Sequence, residues 1–73
     1  MLKGSRDAVL KRLQPISIHG QLSYDVHYIF DDDPDQVHVT RVGPEDVAHG
    51  LQQGDLVRLD FLVGVVTAIA KAG

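Results

Sequence analysis

The sequence predicts a mostly β domain: a small five-stranded antiparallel barrel with a short N-terminal helix and a helical turn before the fourth strand. Three observations carry that reading. Apolar and polar residues alternate with a period of two through most of residues 15–61, and the apolar positions are rich in β-branched and aromatic side chains. Breaks rich in Gly, Pro and Asp separate these runs at short intervals. Before Pro15 the apolar spacing is that of a helix instead.

Taken in order, residues 1–4 are expected to fray and residues 5–14 to hold the helix. Ser5 is a good N-cap, Asp7 sits in the first turn where the helix dipole favours an anion, and Lys11 and Arg12 sit in the last. Val9, Leu10 and Leu13 make one apolar stripe, and Pro15 ends the helix at or before Gln14. So short a helix does not hold alone in water, so it must dock as a lid over the sheet or as a contact to a partner.

After Pro15, Ile16 and Ile18 alternate with Ser17 and His19. Leu22, Tyr24, Val26, Tyr28 and Phe30 alternate with Ser23, Asp25 and His27, and Val37 and Val39 with His38 and Thr40. Requiring the apolar residues to share a face favours a three-residue loop at 20–22, which pairs Ile18 with Tyr24 and Ile16 with Val26. The same requirement pairs Phe30 with Val37 and Tyr28 with Val39, leaving 31–36 as an exposed acidic loop. In these registers His19, His27 and His38 all face solvent.

Gly43-Pro44-Glu45-Asp46 reads as a turn entering a helical turn, with Pro44 at a first helical position. Val47 and Leu51 share one side of it, Gly50 is a C-cap, and Gln52-Gln53-Gly54-Asp55 leads into the fourth strand. There Val57, Leu59 and Phe61 face inward. Gly64 marks a bend or bulge, and 65–70 form the last strand. This tail departs from the rest. Leu62, Val63, Val65, Val66, Ala68, Ile69 and Ala70 leave almost no polar face, so the strand needs cover on both sides.

Composition bounds the function. Seventy-three residues make a single domain over 1–73, with tail and helix in 1–14 and strands in 15–73. A net charge of −3 lacks the basic footprint of a domain that binds nucleic acid or anionic membrane through charge. With no cysteine there is no disulfide scaffold, thiolate zinc site or Cys nucleophile. The charge-free apolar stretch 61–70 is too short to span a bilayer, and the first residues lack an apolar signal region, so the cytoplasm is the expected compartment. A core this small seldom yields more than ~3–5 kcal/mol, and with four aromatic side chains and no tryptophan, association is the natural supplement.

Chemistry is sparse. Asp31, Asp33 and Asp35 have the spacing of the first three ligands of a calcium loop, but Gln36 stands where Gly is required and Val42 where the bidentate Glu belongs. His27, His38 and Asp25 lack the further converging ligands a metal needs. Ser5, Ser17 and Ser23 have no elbow-like glycine context, and Arg58 with Asp60 reads as a structural pair. No catalytic residue, metal or cofactor is expected.

The order of elements resembles a small SH3-like barrel. Pro15-Ile16-Ser17-Ile18, Gly20 and Phe30-Asp31 resemble the first half of Sm-like RNA-binding proteins, with Asp25 and His27 where that family has Gly and a branched apolar residue. Gly54-Asp55-Leu56-Val57-Arg58-Leu59 followed by Gly64-Val65-Val66-Thr67-Ala68-Ile69 is similar to the paired segments of KOW-type barrels, with Asp60-Phe61-Leu62-Val63 in place of their basic, Gly-rich connection. Either resemblance implies a barrel associated with nucleic acid.

The leading expectation is a non-enzymatic protein–protein interaction or self-assembly module, a homo-oligomer, with Phe61, Leu62, Val63, Val65 and Val66 as contact or core residues. The alternative is a nucleic-acid-associated barrel of Sm-like or KOW-like kind, binding through Lys3, Arg6, Lys11 and Arg12. A third reading is a small-ligand or enzyme site shared between subunits.

Overall fold

Five strands follow one another along the chain: β1 (Lys3–Ile18), β2 (Gln21–Phe30), β3 (Asp33–Val42), β4 (Leu56–Leu62) and β5 (Val65–Lys71). The structure is a computed structural model that describes residues 3–72. The strands form one antiparallel sheet in the order β3-β2-β1-β4-β5. Among the described residues the only helical element is a 3-10 turn at Pro44–Asp46, in the place where a helical turn is expected. The sheet is not closed by a continuous ladder. Val47 makes a single parallel bridge to Ile69 of β5, and the Ala48 N–H donates to the Ile69 carbonyl at 3.0 Å.

The predicted N-terminal helix is replaced by strand. Residues 5–14 lie inside β1, whose first part pairs with β4 from Lys3 to Val9 and whose second part pairs with β2 from Val9 to Ile18. Two ladders satisfy the backbone groups of this segment, where a lone two-turn helix would satisfy few. The helix-like spacing has a specific origin. Lys11 is an extra residue in β1, a bulge between the pairs Leu10–Tyr28 and Arg12–His27. Leu10 and Leu13, three apart, therefore both reach the core and imitate one face of a helix. Pro15 is tolerated because β1 has only β2 beside it there, so the missing N–H costs no bond on the other side. Lys3 and Gly4, expected to fray, are in the β1–β4 ladder; Met1 and Leu2 lie outside the described residues.

Both early registers differ from expectation. The first hairpin turns on two residues, His19 and Gly20, with Ile18 opposite Gln21 and Ile16 opposite Ser23. Both turn residues have positive φ, 51° and 77°, the pattern of the tight hairpin turn that matches strand twist. At this end of the hairpin Ile18 and Leu22 are both exposed, so burial does not choose the register and turn chemistry does. In the second hairpin Phe30 pairs with Asp33, Tyr28 with His38 and His27 with Val39. The chain reverses at Asp31-Asp32, so the six-residue loop is absent. A register one residue from the expected one turns His38 inward and leaves Val37 and Val39 exposed. The reason is a stack: the His38 ring lies parallel to Tyr28 at 5.3 Å and packs against Phe30 at 5.2 Å.

The core draws on every strand. Ala8, Leu10, Val26, Tyr28, Val42, Val57, Leu59, Val66 and Ile69 are buried, and Leu13, Phe30, Val47, Leu51 and Phe61 pack against them. Val57, Leu59 and the ring of Phe61 face inward as expected, and Val47 and Leu51 of the 43–55 connection cover one end. Leu59 is fully enclosed, so Leu59→Ala is expected to cost about 2–5 kcal/mol. In a core this size that is the whole margin, and circular dichroism should show the variant largely unfolded at 25 °C.

Candidate assembly surface

The β4–β5 hairpin has the same device as β1. Its ladder is regular from Val57–Lys71 to Asp60–Ala68, breaks, and resumes at Phe61–Val66, leaving Thr67 as the bulged residue. The Thr67 hydroxyl donates to the Asp60 carbonyl at 3.3 Å across the break. Val66 and Ile69, three apart, are consequently both buried, while Val65, Ala68 and Ala70 fall on the outer face. The apparent lack of a polar face in the tail is partly this bulge. Among the described residues no helix covers the outer side, because the segment expected to supply it is β1.

The structure divides the five tail residues proposed as contact or core. Val66 is 7% exposed and belongs to the core, and the half-buried Phe61 packs against it. Leu62, Val63 and Val65 are 45%, 66% and 62% exposed and together make the hairpin tip. Leu62 and Val65 are directly paired, with Lys3 next to Leu62 on β1. Beside the tip lies an open hollow of ≈ 500 Å³, lined among others by Gly4, Phe61, Leu62 and Thr67.

Val63 is the unusual member. It and Gly64 form the turn with φ of 52° and 77°. Glycine enters that region freely, but a β-branched residue there pays about 1–3 kcal/mol of backbone strain. His19, the other non-glycine residue at positive φ, belongs to a type that tolerates it better. Neither packing nor turn preference accounts for an exposed valine at this corner.

The four cations do not form a patch. Along β1, Lys3 and Lys11 are separated by up to ~26 Å of chain. Arg6 is also engaged. Its guanidinium lies 3.6 Å from the centre of the Phe30 ring and donates to both carboxylate oxygens of Asp32, at 2.8 and 3.0 Å. This Arg6–Phe30–Asp32 knot joins residues 26 positions apart and has no local sequence signal.

The remaining polar pairs knit the outer face. Arg41 donates to Asp25 at 2.9 and 3.3 Å, and Arg58 meets Asp7 at 3.6 Å rather than Asp60. The hydrogen bond from Arg41 holds the Asp25 carboxyl below its ordinary pKa, aided by the charges of Arg41 and His27 and opposed by burial. Burial pushes the Tyr28 phenol above its ordinary value, against a smaller opposing effect of Arg6. Asp31, Asp33 and Asp35 are spread over a turn and a strand, and His27 and His38 lie on opposite faces. Among the described residues no group of three or more His, Cys, Asp or Glu is placed to hold a metal ion. Nor is any helix among them long and apolar enough to cross a membrane. A second hollow of ≈ 360 Å³ under the 43–51 segment is lined mainly by apolar side chains, with His49 at its margin.

Comparison of the chain with family models, with curated proteins and with solved structures finds no match. The surface must be read from its own geometry.

Two outcomes are expected. Val63→Asn, which suits a left-handed turn, should stabilise the isolated chain by about 1 kcal/mol in urea unfolding at low protein concentration. The raised Tyr28 pKa means that its contribution is whole below the unfolded value of about 10 and is lost as pH rises through the folded value. Tyr28→Phe should therefore flatten the alkaline limb of the stability profile.

Proposed function

We propose that this chain is a non-enzymatic self-assembly module that associates through the tip and outer face of the β4–β5 hairpin. The observation that carries the reading is the contiguous exposure of Leu62, Val63 and Val65, with valine held at a strained corner that glycine or asparagine would occupy at lower cost. Strain kept at an exposed apolar residue is accounted for when that residue has a partner to meet. The small core supports the same reading, since association adds buried apolar area that a single copy lacks. In this reading the sheet is a partly open barrel. The Val47–Ile69 bridge ties the connection that follows β3 to the β5 edge at one point.

A second reading, a nucleic-acid-associated barrel, has one observation in its favour. Tyr28, Phe30 and His38 form an aromatic cluster on β2 and β3, the face that five-stranded, partly open barrels of the oligonucleotide-binding kind present to bases. Against it, Tyr28 is buried and Phe30 lies beneath Arg6. Absence of binding to single-stranded RNA or DNA at low salt removes this reading.

Sedimentation equilibrium tests the first. The wild-type chain is expected to be a dimer or larger at micromolar concentration. Leu62→Asp and Val65→Asp should sediment as folded monomers, whereas Val66→Asp should unfold because it buries an unpaired charge. A wild-type monomer throughout the micromolar range overturns the proposal.

A further inference from the structure

The strand order leaves two edges, β3 and β5, and they are not alike. On β3 the exposed start reads Asp33-Pro34-Asp35, with an irregular ladder between Tyr28 and Phe30 opposite it. Proline and acidic side chains at an edge are what prevent another strand from adding to it. The edge of β5 has no such protection. Residues 62–70 contain no charged side chain and no proline. The far half of β5 is occupied at Ile69 by Ala48. Among the described residues, no backbone hydrogen bond beyond the β4 ladder reaches 65–68. This short stretch therefore presents unpaired backbone groups beside exposed Val65 and Leu62.

We propose that β5 pairs antiparallel with β5 of a second copy about a two-fold axis near residues 65–68, joining two sheets into one of ten strands. This rests on the assembly reading above and specifies its geometry. A strand edge takes another strand through its backbone, and the occupant is chosen by what falls opposite. For β5 against itself nothing charged falls opposite, so the like-charge penalty that accompanies self-pairing is absent. The same operation at the start of β3, about an axis at Pro34, would set Asp33 of one copy against Asp35 of the other. A two-fold contact is self-complementary, needing only one patch per copy, and the 65–68 stretch of β5 supplies one. Antiparallel pairing also sends each hairpin tip along the partner strand toward its C-terminal end. Val63 then meets apolar surface of the other copy at Ala68, short of Ile69, where Ala48 is already bonded.

The absence of cysteine in the sequence makes the test clean. Single cysteines are placed at Val65, Thr67 and Ala68 on β5 and at Val37 on β3, and each full-length variant is exposed to a mild oxidant. Disulfides form only where Cα atoms approach within about 7 Å. Across a two-fold axis, equivalent residues meet at the axis and separate by up to about 6.6 Å for each position away from it. Disulfide dimer is expected to peak at one position within 65–68 and to be at least ~10-fold lower for Val37→Cys. Val65→Lys, which places like charges near the axis, should weaken association at least ~10-fold while circular dichroism stays unchanged. A wild-type monomer overturns the assembly reading and this inference together. A wild-type dimer whose β5 cysteines cross-link no better than Val37→Cys, or that persists in Val65→Lys, leaves the assembly standing and overturns the edge pairing alone.

Discussion

The double use of β1 is the constraint on which the fold depends. One sixteen-residue strand serves as the middle of the sheet, pairing with β4 by its first part and with β2 by its second. A regular strand of that length has a single inward face, and sheet twist would carry part of it away from the core. The extra residue at Lys11 resets the alternation, so that Ala8 and Leu10 before it and Leu13 after it all contribute to one core. Thr67 does the same for Val66 and Ile69 in β5. Two bulges thus let a short chain build one core from strands that bend.

The same bulges explain what was legible in the sequence. The strands of 22–30 and 56–61 are legible because their alternation is regular, 65–70 is legible as an apolar run after Gly64, and the helical turn at Pro44 follows from Pro and acid placement. The first strand reads as a helix in the sequence because Leu10 and Leu13 are three apart, a spacing shared by a bulged strand and a helix. A serine cap and a proline stop completed the imitation. Both hairpin registers were misread for a different reason. A single apolar face requires every apolar residue to seek the core, yet Ile18, Val37 and Val39 are exposed while the half-buried His38 stacks on Tyr28. In the first hairpin the His19-Gly20 turn outranked burial.

For the surface, the sequence located the tail but could not sort it. Five residues in near succession separate into core, flank and tip only when the bulge and the turn are placed. The strain at Val63 was invisible beforehand, since nothing in Leu-Val-Gly-Val states that the valine has positive φ. The basic residues show the opposite effect: Lys3, Arg6, Lys11 and Arg12 are close in sequence but spread along the extended β1.

Because β1 finds half of its partners in β2 and the other half in β4, its two ladders form at different stages of synthesis. The hairpin with β2 closes on neighbouring residues, but the pairing of Val9 with Leu56 must wait for a further 47 residues. At ~5–20 residues per second, that is roughly 2–10 s in which residues 3–8 have no β4 to bond. Water alone serves those backbone groups meanwhile, so the nascent chain spends those seconds with its central strand half undressed. Pairing over so long a separation places this domain among the slower folders of its size, in the millisecond-to-second range.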